Sequence, residues 1–339
     1  METVYRSAVV GLGNIGFRLS LDTRRQSTWS HVDAYLRSGR TVLAGTVEIN
    51  PATAREFRAL HPEIPVYPTI QDLFREQRID IISIAVPTAL HFPVFQEIAT
   101  SPVKAVFCEK PLSDSPRHSR EMIRIAGEKG MVLAVNYSRR WENSYQKVRD
   151  MVQGGEIGAL RSVHAFYSGR ILAMGSHILD SLRMITGLEP VAVSARTVVD
   201  APDPSLTGWM ECRGGIIVTF SATGREENLI FELDLFGDRG RLTIGMNGKE
   251  IAWGTFGESQ RYSTYKEAVQ DILPLPEQKD RFVEAVRDIV AVLDGEKDAP
   301  ACTGNDGLWV DTLIDAALRS AGRGGVPVPI GDTTSGGNP

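Results

Sequence analysis

The run Gly11-Leu12-Gly13-Asn14-Ile15-Gly16, directly after the short apolar stretch Ser7–Val10, constrains this chain more than any other segment. Glycines at the first, third and sixth positions suit a strand that turns sharply into a helix. Gly11 permits the tight turn, Gly13 lets a pyrophosphate approach the backbone, and Gly16 lets helix and strand pack closely. A helix N-terminus offers main-chain N–H groups to phosphates. The segment therefore predicts dinucleotide binding by Gly11, Gly13, Asn14, Ile15 and Gly16. Glu48 ends a second apolar run, Thr41–Val47. A carboxylate there accepts both hydroxyls of the adenosine ribose and repels a 2′-phosphate, which favours NAD over NADP. Glu48 lies farther from Gly16 than the usual ~20 residues. The excess, Phe17–Ser30, reads as an inserted loop with Arg18, Arg24 and Arg25, ahead of a helix at His31–Arg37.

The first part of the chain alternates strand and helix signals. Asn50-Pro51 starts a helix, with an N-cap followed by proline at the first helical position. Thr69 and Asp72 form a capping box for a helix to about Gln77. Ile79–Val86 and Val103–Phe107 are apolar enough to be strands buried on both faces. Ser115-Pro116 starts a helix to about Lys129, and Met131–Val135 is a further strand. Such alternation predicts a parallel, doubly wound sheet. After Asn136 the pattern changes. A helix over Trp141–Val152 precedes strands at Leu160–Tyr167, Val191–Val199, Gly208–Glu211, Ile216–Phe220, Leu229–Phe236 and Arg241–Ile244. Gly214-Gly215 and Gly237–Gly240 supply turns. These strands predict a mainly antiparallel sheet, interrupted by a helix at Ser176–Thr186. Helices at Pro276–Leu293 and Gly307–Ala321 close the chain. The expected domains are 1–136, a dinucleotide-binding domain, and 137–331, a substrate and oligomerisation domain whose last helix can pack back on the first. The Gly/Ser/Thr-rich segment 332–339 reads as a disordered tail.

Phe107-Cys108-Glu109-Lys110-Pro111 places a lysine just past a buried strand. Strand ends are where open α/β sheets carry ligands. Pro111 fixes its own φ and biases Lys110 toward an extended backbone. A flexible cation thus starts from a rigid base.

With these residues, the chain resembles the glucose-fructose oxidoreductase/inositol dehydrogenase/rhizopine catabolism (Gfo/Idh/MocA) family. The likeness rests on Gly11–Gly16, Glu48, Val86-Pro87-Thr88 with His91, Glu109-Lys110-Pro111, Asn136, and Gly175-Ser176-His177 with Asp180. It implies an α/β chain: an N-terminal Rossmann domain plus a C-terminal α+β domain on a large open sheet that covers the nicotinamide and mediates dimers or tetramers. It also implies NAD-dependent oxidation or reduction of a carbinol carbon in a sugar, cyclitol or nucleotide sugar. Pro87, Thr88 and His91 would line the cofactor. Glu109, Lys110 and Asn136 would lie by the nicotinamide, with Lys110 stabilising the developing alkoxide. His177 is the second catalytic candidate, since an imidazole transfers protons near neutral pH. Asp180, one turn on, is expected to support packing or a cap. Many relatives carry an aspartate four residues before this histidine; this chain has Ala173. That departure leaves room for a glycosidase-like member using transient oxidation, or a non-catalytic NAD-binding sensor. Arg139, Arg140 and Trp141 follow the last Rossmann strand, where the family often places substrate contacts, and paired arginines suit a carboxylate or phosphate. Tyr167 and Arg170 could join them. His31, His61, His118 and His164 show no ligand-like grouping and read as surface or packing residues.

Composition narrows the partners. A net charge of −5 and a pI near 5.8 give no broad basic field, which argues against nucleic acid. The three cysteines are scattered and form no CxxC pair, so neither a metal site nor a disulfide framework is expected, and a reducing cytoplasmic setting fits. Met1–Ser7 lacks the apolar core of a signal peptide. The longest uncharged run, Ile81–Gln96, is too short for a membrane span.

Overall fold

The computed structural model describes residues 2–25 and 27–331, so the expected tail 332–339 lies outside the described residues. Strands β1 (Tyr5–Val10), β2 (Thr41–Val47), β3 (Val66–Tyr67), β4 (Ile81–Ile84), β5 (Ala105–Cys108) and β6 (Val132–Val135) form one sheet in the order 3-2-1-4-5-6. Every pairing in it is parallel. The order reverses between β1 and β4, the switch point outside whose carboxyl ends such sheets bind ligands. Helices α1 (His31–Arg37), α2 (Pro51–Leu60), α3 (Ile70–Glu76), α4 (His91–Ile98) and α5 (Pro116–Glu128) connect the strands. The caps form as the sequence predicts: Asn50 accepts from the Ala52 and Thr53 N–H groups, Thr69 from Asp72, and Ser115 from His118. Each such cap is worth about 1 kcal/mol. Helix α4 was not foreseen, because it follows β4 inside one uncharged run with no polar cap at its start.

The second sheet has ten strands. Helix α6 (Asn143–Gln153), strand β7 (Leu160–Tyr167) and helix α7 (Ser176–Thr186) precede β8 (Pro190–Val199), β9 (Ser205–Cys212), β10 (Ile217–Ala222), β11 (Phe231–Gly237), β12 (Gly240–Gly245), β13 (Glu250–Glu258), β14 (Lys266–Ala268) and β15 (Asp271–Ile272). Helices α8 (Arg281–Leu293) and α9 (Gly304–Gly322) and strand β16 (Val328–Pro329) follow. The strands run 14-13-12-11-7-10-9-8-16, with β15 beside β13, and only β7 and β10 pair parallel. Alternate residues of β7, β11 and β12 are buried, so one face of the sheet forms a core and the other carries Phe166 and His164. Strand β13 was missed because Gly254 and Gly257 interrupt its pattern.

The described residues divide into two compact units, one within 1–141 with 279–311 and the other 142–278 with 312–331. The sequence reading assigned 279–311 to the second domain. Helix α8 joins the first unit instead, because its buried stripe, Phe282, Val283, Val286, Ile289 and Val290, packs on α1 and β6. Cys302 and Thr303 then pair with the edge of β6: Val135 N–H donates to the Cys302 carbonyl, and Ala134 bridges Thr303. A bare sheet edge is thereby covered. The helix expected from Trp141 begins only at Asn143, because Ser138–Trp141 form a separate 3₁₀ turn whose Trp141 Nε1–H is tied to Asp288 at 3.0 Å. Helix α8 starts at Arg281 rather than Pro276, with Asp280 as its cap.

Candidate cofactor and active site

Gly11 adopts φ +94°, and a Cβ there would sit 2.8 Å from the Ala85 carbonyl oxygen. A Cβ on Gly16 would sit 2.0 Å from the Gly11 carbonyl oxygen, so neither position accepts a side chain. Gly13 has nothing within 4 Å of where its Cβ would be, the open approach a phosphate needs.

The helix after the glycines is interrupted. Phe17 N–H closes a helical turn on the Gly13 carbonyl at 3.0 Å. Leu19 N–H closes a wider turn on the Asn14 carbonyl at 2.9 Å, and the bonds after it are made by residues far ahead in sequence: His31 N–H donates to Ile15 and Val32 N–H to Gly16, each at 3.1 Å. In an unbroken helix those donors would be residues 19 and 20. Residues 19–30 therefore form a twelve-residue excursion spliced into one helix. Without it, Glu48 follows Gly16 by 20 positions rather than 32, the usual interval. One expectation is corrected. The first N–H groups of α1 are spent on Ile15, Gly16 and Ser30, so the helix N-terminus facing a phosphate belongs to the turn that starts at Gly13. The excursion is tied down by Thr28 N–H donating to Asp280 at 2.8 Å, and by Trp29, which lies against the guanidinium groups of Arg25 and Arg281.

Beside the glycine turn lies a cavity of about 580 Å³ lined by Gly11, Gly13, Glu48, Asn50, Thr69 and Pro87, among others. Its wall is mostly apolar, as suits a purine ring. Glu48 is oriented by two main-chain donors, Leu12 N–H at 2.8 Å and Asn50 N–H at 2.7 Å. Open space at Gly13, the carboxylate of Glu48 and the apolar cavity together fit an NAD molecule. When bound, NAD supplies a two-electron acceptor for hydride.

On the other side of β1 and β4, the carboxyl ends of β5 and β6 bring Glu109, Lys110 and Asn136 together. Glu109 is buried, and its Oε1 accepts from His31 Nε2 at 2.9 Å and from Asn136 Nδ2 at 2.5 Å. Its Oε2 accepts the Lys110 main-chain N–H at 3.2 Å. Burial alone would raise its pKa. The bonds from His31 and Asn136 and the charge of Lys110 outweigh that and hold it below the usual carboxylate range. Lys110 is half-buried, and its bond to Pro111 is cis. Asn136 Oδ1 is buried with no hydrogen-bond partner, an acceptor still to be used.

Several expected site residues have other duties. His91 does not face the cavity. It is buried, with Nδ1 2.9 Å from the Pro111 carbonyl and Nε2 2.9 Å from the Val86 carbonyl, so it braces two loops. Burial depresses its pKa against those two acceptors. Thr88 sits in the short turn Thr88–Leu90 that leads into α4. Arg140 is buried in an ion pair with Asp306 and a bond to the Ala301 carbonyl, and Trp141 is buried against Phe107, so both serve the core of the first unit. Tyr167 is fully buried, and its hydroxyl donates to the Leu206 carbonyl at 2.7 Å. Arg170 is exposed and pairs with Glu226. Arg139 is half-buried. His177 is half-buried on the first turn of α7, which a π-helical turn, Ile171–Gly175, leads into; Ala173 lies in that turn, and Asp180 is buried. Gly175 lies close to its neighbours there: a Cβ would meet the end of the Ile171 side chain at 2.5 Å and the Tyr167 ring at 3.1 Å. His31, read from sequence as surface or packing, is the residue missed. Its signal was position: with the excursion removed, it stands three residues after Gly16, on the helix face turned to β5.

The family description "Oxidoreductase family, NAD-binding Rossmann fold" (GFO_IDH_MocA) matches residues 5–137. Inositol 2-dehydrogenase of Rhizobium meliloti (strain 1021) is 27% identical over 279 residues, 74% of this chain and 81% of its own. The 1,5-anhydro-D-fructose reductase of Ensifer adhaerens is 24% identical over 290 residues, 76% of this chain and 81% of its own. Among solved structures, the WlbA dehydrogenase of Bordetella pertussis, in complex with NADH and UDP-GlcNAcA, shares the fold with a TM-score of 0.79 at 19% identity, over 97% of this chain and 98% of that one.

Proposed function

We propose that the chain, whose residues 5–137 match the Gfo/Idh/MocA oxidoreductase family, is a member of that family and transfers hydride between NAD and a carbinol or keto carbon of a sugar, cyclitol or nucleotide sugar. The observation that carries this reading is the cluster at the ends of β5 and β6, where Glu109 orders the main chain of Lys110 beside Asn136. Hydride leaves a carbinol carbon only as its hydroxyl proton leaves oxygen. The Lys110 ammonium lowers the pKa of that hydroxyl and stabilises alkoxide charge. Glu48 holds the adenosine ribose. His177 contacts the substrate or accepts its proton. The activities named for the inositol and anhydrofructose relatives and for the nucleotide-sugar complex support this substrate class.

Two further readings belong with it. The open face of the second sheet carries exposed Phe166 and Ile217 beside the Arg241–Asp234 pair, and we assign it a homodimer or homotetramer contact. Among the described residues no helix is long and apolar enough to cross a membrane. All three cysteines are free, buried thiols, which supports a reducing cytoplasmic setting.

The test is absorbance of NADH formed from NAD with a panel of aldoses, inositols and UDP-sugars. Lys110→Ala is expected to lower kcat by roughly 100-fold or more with NAD affinity unchanged. Near-normal turnover in that variant removes Lys110 from the chemistry. NAD binding without turnover on any member of the panel favours a sensor instead.

A further inference from the structure

The proposed chemistry uses Lys110, yet the carboxylate that orders Lys110 is itself held from a distant part of the chain. His31 is fully buried. Its ring is wedged edge-on between Phe107 of β5 at 4.8 Å and Phe282 of α8 at 5.7 Å. A carboxylate can only accept, so the 2.9 Å contact with Glu109 Oε1 requires the proton on His31 Nε2. His31 Nδ1 is buried with no hydrogen-bond partner, so the ring is held through Nε2. The main chain of the same residue donates to Ile15, inside the glycine turn. One residue thus links the phosphate-binding turn, through its backbone, to the strand end that carries Lys110, through its side chain.

We infer that His31 is a positioning residue for hydride transfer: its Nε2–H fixes the Glu109 carboxylate, and Glu109 in turn sets the backbone and charge environment of Lys110. This rests on the assignment of Lys110 to the chemistry. Packing alone needs no donor at this place, and an apolar side chain would fill the space between two phenylalanines without leaving a buried nitrogen unpaired. Glu109 needs one, because a buried carboxylate with too few donors takes up a proton. A neutral Glu109 no longer faces Lys110 with a counter-charge, and one of its oxygens becomes a donor rather than an acceptor. The titratable groups that face Glu109 are His31 from α1, Lys110 and Cys108 on its own segment, and His91 from α4; Asn136 from β6 is neutral.

The experiment compares His31→Leu, which keeps bulk without the donor, with His31→Gln, whose amide restores an N–H. Turnover and its pH profile are measured, and Glu109 is titrated without substrate by ¹³C NMR of carboxyl-labelled glutamate, assigned with Glu109→Gln. In His31→Leu, kcat is expected to fall roughly tenfold or more, with substrate KM and NAD affinity nearly unchanged. Glu109 should protonate about one pH unit higher, and the acid limb of kcat/KM should move with it. The Lys110 amide ¹⁵N shift should follow that titration. His31→Gln should recover most of the rate and return the limb toward its original pH. The inference is overturned if Glu109 titrates unchanged in His31→Leu, or if His31→Gln loses as much activity as His31→Leu. Should His31→Leu fail to fold by near-ultraviolet circular dichroism, His31→Gln against the unsubstituted chain decides: activity lost while Glu109 titrates unchanged overturns it. If the unsubstituted protein turns over no sugar, the proposed function fails, while the two NMR titrations still test the His31–Glu109–Lys110 link.

Discussion

At the scale of single residues, the site is governed by how its carboxylates are held. Glu48 is oriented by two main-chain N–H groups but keeps its charge toward the cavity. Hydrogen bonds to a charged group are worth about 1.5–3 kcal/mol. Glu48→Gln should therefore weaken NADH binding roughly 10- to 100-fold and narrow the preference over NADPH by at least as much, as read by fluorescence titration of both cofactors. An unchanged ratio would mean that Glu48 does not select the cofactor. The strand-end positions of Glu48, Lys110 and Asn136 were legible because a strand end followed by a turn has a recognisable pattern. His31, Arg140, Trp141 and Tyr167 were not. Their roles depend on which buried partner each meets, and those partners lie 78, 166, 147 and 39 positions away in sequence.

At the scale of elements, helix starts were the most legible feature, since a cap is a local bargain between one side chain and the N–H groups just after it. Helix α4 and strand β13 lack such marks and were missed. The loop after Lys110 has a support the sequence did not reveal. Asp311, buried on α9, accepts from the Ser119 hydroxyl at 2.6 Å and the Ser113 N–H at 3.2 Å. Burial nonetheless raises its pKa from 3.8 to about 7. Between those values the folded chain holds a proton that the unfolded chain has lost, so stability should fall as pH rises from about 4 to about 7. Asp311→Asn removes that titration, and urea unfolding at pH 5 and pH 7 should then show a smaller difference than in the unsubstituted protein. An equal difference would show that Asp311 ionises freely in the fold.

At the scale of the whole molecule, the dinucleotide-binding unit is not a continuous stretch of chain. Helix α8 buries Phe282, Val283, Val286, Ile289 and Val290 against it, on the order of 10 kcal/mol of apolar burial. That rivals the whole stability of an ordinary domain. Residues 1–141 expressed alone should therefore aggregate or remain partly unfolded, whereas the same residues joined by a short linker to 279–311 should fold and bind NADH, as read by circular dichroism and calorimetric titration. Stable NADH binding by 1–141 alone would contradict the division. The doubly wound sheet was legible because its rhythm is sequential. The return of α8 was not, since an amphipathic helix shows that it has a partner but not which one. The spliced helix after the glycine turn bears on how such chains are compared. Its two halves rejoin in register across residues 19–30, so an alignment gap for shorter relatives belongs inside the helix, and lineages can lengthen or trim the chain there while every later position of the dinucleotide fold keeps its phase.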